Sequence, residues 1–261
     1  SMSIVSFVML VVAVSAWWTQ IYQHPKRVFE GMIRSNLSTN SITRVTKSTS
    51  FGSSTSKAEQ ISLVSPKAVR SVSNITQGEA QNKTVITTET IGSQDADFNR
   101  YISIETAQKG ANGKKLDYTA VEGLWGRSSR TEGQPQYLTQ AGLGIIPFAR
   151  LSASDVASIA PKLLTDKVYK VDYSKVALKK VGDKSAIIVP VSINVQNYLV
   201  VFKDIAKRAG LKGYDALNPA QYAGGKPVDI KVTIDKASRH LVAIDYGNGQ
   251  VEQYSAHGLS L

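Results

Sequence analysis

The chain has 261 residues, with 31 Lys plus Arg against 20 Asp plus Glu, a net charge of +11 and no cysteine. The missing thiols exclude disulfides, a cysteine nucleophile, a zinc ribbon, an iron–sulfur cluster and a lipidated cysteine. With 42% apolar and 20% charged residues the composition is globular, and enough to bury a core.

Residues Ile4 to Trp18 (IVSFVMLVVAVSAWW) carry no charge, and the uncharged run continues to His24. A helix from Ser3 to Tyr22 would span roughly 30 Å, the thickness of a hydrocarbon core. Trp17, Trp18 and Tyr22 stand where an interfacial aromatic belt would be, followed by Lys26 and Arg27. Residues 1–24 therefore read as a transmembrane anchor, with a cleaved signal peptide as the alternative through the small residues Val14-Ser15-Ala16. A positive-inside count over Lys26, Arg27 and Arg34 would keep the C-terminal domain in the cytoplasm. One anchor ahead of a Ser/Thr-rich, strand-forming domain points the other way, to a single-pass protein of the cell membrane with an extracytoplasmic domain over 25–261.

In Pro25 to Leu37, Val28, Phe29, Met32, Ile33 and Leu37 fall on one helical face, with Pro25 suited to the first turn. From Ser35 to Thr90, 22 of 56 residues are Ser or Thr. Alternation in Ile42–Thr46, Ala68–Ile75 and Thr84–Thr88, punctuated by Gly52, Pro66 and Gly78, predicts an antiparallel meander with one wet face. Strands are also expected at Tyr101–Thr106 and Val121–Arg127, the latter bearing Trp125. Residues 128–150 show no period and read as a long surface loop or mobile flap. A helix capped by Ser154 and running to about Leu164 comes next, shortened or bent by Pro161. This gap is the best candidate boundary, between two domains or two halves of one sheet; charge divides evenly across it, +6 through Arg150 and +5 beyond.

The last hundred residues are the clearest. Strands are expected at Val168–Val171, Val176–Val181 and Ser185–Ile193, the latter two turned by Gly182-Asp183. Pro190 should place the third at an edge or a bulge. A helix capped by Asn194 or Asn197 carries Tyr198, Phe202, Ile205, Ala206 and Ala209 at three- and four-residue spacing and stops at Gly210. A closing meander ends the chain: Val228–Asp235, Leu241–Tyr246 and Gln250–His257, with Asn248-Gly249 as a type I′ turn signal.

That order of elements, with the Val168–Asp172 strand (Val-Tyr-Lys-Val-Asp) and the closing hairpin, resembles the lipoprotein-carrier superfold of LolA-type carriers and actinobacterial LprG/LppX-type lipoproteins. The resemblance implies an α+β fold: a curved antiparallel half-barrel with helices packed on its concave face around an apolar cavity. The phrase His24-Pro25, Val28-Phe29, Asn36-Leu37 also resembles anchored proteins of candidate-phylum bacteria such as Saccharibacteria. The LprG/LppX group begins at a lipidated cysteine, so here a peptide anchor would replace the lipid.

No chemistry-bearing motif stands out. His24, His240 and His257 form no His-x-x-x-His pair, and no Gly-x-Ser-x-Gly elbow exists. Asp95 and Asp97 read as turn caps, and Asp229 and Asp235 as partners of Lys231 or Lys226. The expectation is a protein that is not an enzyme, with no cofactor and no metal. It would bind a hydrophobic ligand or lipid in a cavity lined by Val201, Phe202 and Ile205. The alternative is an envelope interaction or regulatory module with a filled core, using a sheet edge near Pro190 or apolar residues exposed on the 128–147 loop (Leu138, Leu143, Ile145, Ile146). The scattered lysines and arginines, including Lys203, Lys207 and Arg208, argue against nucleic acid and for a membrane or an anionic envelope polymer as partner.

Overall fold

The computed structural model describes residues 24–78, 82–129 and 136–258. The anchor or signal-peptide segment thus lies outside the described residues but for its last position. Among the described helices, none is long and apolar enough to cross a membrane.

Helix α1 (Pro25–Leu37) has Pro25 in its first turn and His24 as cap, and it buries Val28, Phe29, Met32, Ile33 and Leu37. A hydroxyl-rich meander comes after it: β1 (Ser41–Ser50), β2 (Ser53–Ser62), β3 (Ala68–Gln77), β4 (Thr84–Gly92), β5 (Ala96–Thr106) and the short β6 (Gly126–Ser129). The later strands are β7 (Tyr169–Val171), β8 (Ala177–Val181), β9 (Lys184–Ile193), β10 (Val228–Asp235), β11 (Leu241–Asp245) and β12 (Gln250–Ser255). All twelve join one curved sheet in the order β6-β5-β4-β3-β2-β1-β12-β11-β10-β9-β7, with β8 also on β9. Its strand pairs are antiparallel, and β1 against β12, with Arg44 opposite Tyr254, seams the early and late halves together.

One face of this sheet carries the helices. Ile42, Ile61, Val69, Val189, Val191, Ile230, Val232 and Ile244 are buried there against α1, α2 (Tyr137–Gly142), α3 (Ala153–Leu163) and α4 (Val195–Arg208). An aromatic chain runs through the layer: Phe29 edge-on to Tyr169 at 6.2 Å, then Tyr198, Phe202 and Tyr214 at successive centroid spacings of 6.0, 5.7 and 5.1 Å. Edge-to-face and tilted pairs of this kind suit the quadrupoles of the rings.

Several expectations need correction. The described part of the expected 128–150 loop beyond β6, residues 136–150, is not open: it forms α2 and then runs against the end of α1. Leu138 and Ile146 are buried and Ile145 packs against the core, so of the four apolar residues expected outside only Leu143 is exposed. The amides of Ala149 and Leu151 donate to the carbonyls of Asn36 and Leu37, satisfying the frayed end of α1. Trp125 precedes β6 rather than lying in a strand, because a 3₁₀ turn occupies Thr119–Val121. The cap of α3 is Ser152, whose hydroxyl accepts from the Asp155 amide, and Pro161 sits inside the helix without ending it.

Pro190 is in neither an edge strand nor a bulge. β9 has β10 on one side and both β7 and β8 on the other. The Pro190 carbonyl points to that second side, where it accepts from Asp172. The missing donor therefore falls in the gap where the chain leaves β9 for a 3₁₀ turn at Tyr173–Lys175, and no ladder bond is lost. The β11–β12 connection is not type I′ either. Gly247 and Gly249 take positive φ (70° and 87°) but Asn248 does not, and the Tyr246 amide donates to the Gln250 carbonyl across a three-residue loop.

Candidate functional site

Two places on the helix-bearing face are built unlike the rest of it: a strap over the core, and an open cleft beyond the helices.

The strap is residues 139–145, comprising the end of α2 and the three residues after it. Four side chains, from β1, β7, α4 and the loop after α4, hold it by its carbonyl oxygens. The Tyr214 hydroxyl donates to Thr139 (2.5 Å), Arg44 Nη2 to Ala141 (2.9 Å), the Tyr198 hydroxyl to Gly144, and the Tyr169 hydroxyl to Ile145 (2.9 Å). Burial raises the pKa of Tyr169, Tyr198 and Tyr214, which keeps all three protonated as donors. Gly142 is required for this fit, since a Cβ there would lie 2.7 Å from the Tyr214 hydroxyl oxygen. Beneath the strap is a crevice of about 10 Å³, roughly one water, lined by Ile42, Ile61, Leu63, Phe148 and Tyr254 with Arg44 at its polar side.

Arg44 itself is buried in the concave face. Its guanidinium pairs with Glu59 at 2.7 Å, and Glu59 also takes Lys57 (3.1 Å) and the Tyr137 hydroxyl (2.6 Å). Burial alone would raise the Glu59 carboxyl, but Arg44, Lys57 and the Tyr137 hydrogen bond outweigh it and hold the group below the ordinary carboxylate value. Across β1 and β2 this network ties α2 to the sheet; at the other end Asp97 accepts from the Tyr137 amide (2.8 Å).

The expected lining residues sit at the centre of the layer. Phe202 and Ile205 are fully buried and Val201 nearly so, all packed in the main core below α4. None of them lines the strap crevice or the open cleft. Lys203 donates to the Asp215 and Leu217 carbonyls, and Arg208 bridges Asp204 and Asp155, so these cations fasten α4 to its neighbours. Asp235 accepts from the Ala237 and Ser238 amides (2.8 and 3.0 Å), capping the β10–β11 turn instead of pairing with Lys231 or Lys226.

His240 and His257 are brought together, with rings stacked at 4.3 Å and 12°, and Phe148 lies 6.2 Å from His257. Burial first, and the neighbouring His240 second, push His257 down to about 4, against a weaker opposing hydrogen bond with Leu241. A folded-state value below the ordinary 6.5 means the unfolded chain binds the extra proton. Stability is therefore expected to fall as pH drops from about 6.5 towards 4, and His257→Phe should flatten that limb in urea titrations. An unchanged limb would assign it to other groups. Among the described residues no group of three or more His, Asp or Glu is placed to hold a metal.

The open cleft lies over β4 and β5. Pairing across the sheet puts Glu59, Ser71, Thr90 and Asn99 in one row, and antiparallel partners share a face. Thr88, Thr90, Asn99 and Tyr101 therefore floor the concave face where α2 no longer covers it. Val121, Leu124, Trp125 and Gly126 border it at the edge of β5, enclosing about 480 Å³, with the Trp125 ring itself turned to Arg100 on the opposite face. Sequence reasoning missed this cleft because it takes Val121–Arg127 as a strand, whereas a 3₁₀ turn and a loop lead up to β6.

No family model matches the chain, and no curated protein does. A solved structure similar to it is the crystal structure of LprF from Mycobacterium bovis, at 12% identity over 90% of this chain and 93% of that one, with a TM-score of 0.47.

Proposed function

We propose that the protein is a non-enzymatic module of the cell envelope that takes up a hydrophobic ligand or lipid between its curved sheet and the helix layer, beneath the strap 139–145. What carries this reading is how the cover is fastened. The apolar trough of Ile42, Ile61, Leu63 and Phe148 is roofed by a segment with two glycines, Gly142 and Gly144, pinned by four side-chain bonds to its carbonyls. Each such bond is worth about 0.5–1.5 kcal/mol net, so releasing all four costs roughly 2–6 kcal/mol. Burying methylenes regains about 0.8 kcal/mol each, so some eight methylenes offset even the upper figure. A long acyl chain is therefore a sufficient occupant and a small polar molecule is not. Val201, Phe202 and Ile205 would form the inner wall once the strap and α4 part. Tethering to the membrane and an extracytoplasmic location belong to the same reading, with the +11 charge facing an anionic surface.

The test is mass spectrometry of an organic extract of the natively purified protein, with uptake of an anthroyloxy-labelled fatty acid as second readout. Co-purifying lipid is expected. The Tyr169→Phe, Tyr198→Phe double variant, with two latches gone, should take up the probe about tenfold faster. A chain that yields no lipid and takes up no probe in either form would overturn the reading.

A further inference from the structure

The sheet's other face, turned away from the helices, changes character at the wing β3–β6. Along β2 it presents Ser54, Ser56, Ala58 and Gln60. From Gln60 the strand register runs on through Arg70, Ile91 and Phe98 to Arg127, and antiparallel partners share a face. The next row on that face is Val72, Glu89 and Arg100. The Trp125 ring joins it, with its centroid 4.8 Å from the Arg100 guanidinium. Thr88, Thr90, Asn99 and Tyr101 belong to the opposite face, the one that bears the helices.

Three large apolar side chains are exposed in these rows, Trp125 at 45%, Phe98 at 38% and Ile91 at 37%. Three arginines stand among them. Arg70 (2.7 Å) and Arg100 (2.6 Å) bind Glu89 and cover it with their own side chains rather than with a packed interior. Their hydrogen bonds, Arg70 first, hold its carboxyl below the ordinary value. Arg127 lies over the Phe98 ring, 6.0 Å from its centroid. The other carboxylate that the strands of the wing place on this face, Glu105, is at the far end of β5. The two rows therefore combine aromatic rings with an excess of positive charge.

An occupant has to use the rings and the cations together. A peptide strand would pair with the edge of β5 that β6 leaves open beyond Asn99, not with this face. A second copy of the chain, packed patch on patch, would set arginines against arginines. A soluble polyanion would leave Ile91, Phe98 and Trp125 in water. The headgroup layer of an anionic bilayer takes both, since aromatic rings settle at the boundary with the acyl chains and arginines reach the phosphates, each adding roughly fivefold to partitioning. We propose that the outer face of β3–β6 is a docking surface for an anionic lipid bilayer, with Ile91, Phe98 and Trp125 at the headgroup boundary and Arg70, Arg100 and Arg127 among the phosphates. The envelope location is taken from the function proposed above; the ligand beneath the strap is not part of the argument.

The experiment incubates the full chain, carrying Trp17→Phe and Trp18→Phe so that Trp125 is its sole tryptophan, with vesicles of phosphatidylglycerol or of phosphatidylcholine brominated high on the acyl chains. Trp125 emission should be quenched in phosphatidylglycerol and little affected in phosphatidylcholine, and added salt should relieve the quenching. Tethering alone would treat the two lipids alike. Arg127→Glu, which reverses an exposed charge, should lower the docked-to-undocked ratio about tenfold or more, and Phe98→Ser should lower it as well. Both side chains are exposed, so the variants should keep the parent's urea midpoint and, without vesicles, its fatty-acid uptake, which separates failure of this proposal from failure of the strap reading. Absent quenching in phosphatidylglycerol, equal quenching in both lipids, or quenching untouched by Arg127→Glu and Phe98→Ser would overturn it. So would a Trp125 emission that shifts with protein concentration before lipid is added, which would assign the face to a second copy.

Discussion

Replacing Glu59 by alanine is expected to lower the unfolding free energy by about 3–5 kcal/mol, read as a fall in the urea midpoint at unchanged slope. The reason is the charge left behind. Arg44 is buried beneath α2 and the strap, and without Glu59 its guanidinium loses its direct ion pair, keeping the hydrogen bond to the Ala141 carbonyl and the weaker attraction of Glu252. The same change strips the acceptor from the part-buried Tyr137 hydroxyl. Removing the pair together, as Arg44→Met with Glu59→Leu, should recover a large part of that loss, because a desolvated ion pair contributes little net stability over a packed apolar one. The dependence on pH has a definite sign. The folded-state carboxyl is held below its ordinary 4.5, so its contribution is complete above that value and fades as pH falls through the depressed one. The gap between parent and variant should therefore narrow in acid. A gap that widened in acid would contradict the assignment.

Phe202→Ala is the second large effect, also expected at about 3–5 kcal/mol. The ring is 1% exposed and sits between Tyr198 and Tyr214, at 5.7 and 5.1 Å. Tyr214 in turn holds Thr139, so the cavity left by the ring would loosen the strap from beneath. Faster uptake of the labelled fatty acid should accompany the lost stability. If Phe202→Ala were near neutral in urea, its side chain would be lining a void already present and not the packed core described here.

How far the sequence was legible varies with the source of each element's stability. The late half of the chain was readable because its strands are rich in Val and Ile and its helix repeats apolar residues at three and four. There α4 begins at Asn194 and ends before Gly210, with φ 62° at that glycine. The β2 strand was not readable: Ser53–Ser62 offers only Ala58 and Ile61 as apolar residues, and it is a strand because β1 and β3 pair with it along its length. The segment 136–150 was misread for a related reason. Its order comes from donors far away in the chain, at Arg44, Tyr169, Tyr198 and Tyr214, and no local pattern records them. Val201, Phe202 and Ile205, expected to line a cavity, are packed among core side chains, since apolar spacing on a helix marks its buried face without telling what that face meets. The wing cleft was hidden by the strand expected at Val121–Arg127, where a 3₁₀ turn and a loop run instead.

The uptake of a hydrophobic ligand under the strap is tested most directly by hydrogen exchange of the full chain with and without a long-chain fatty acid. The amides of 139–145 and of α4 around Val201, Phe202 and Ile205 should change their exchange on binding, while those of β4 and β5 stay as they were. Exchange that is identical across the strap and α4 with saturating ligand present would contradict it.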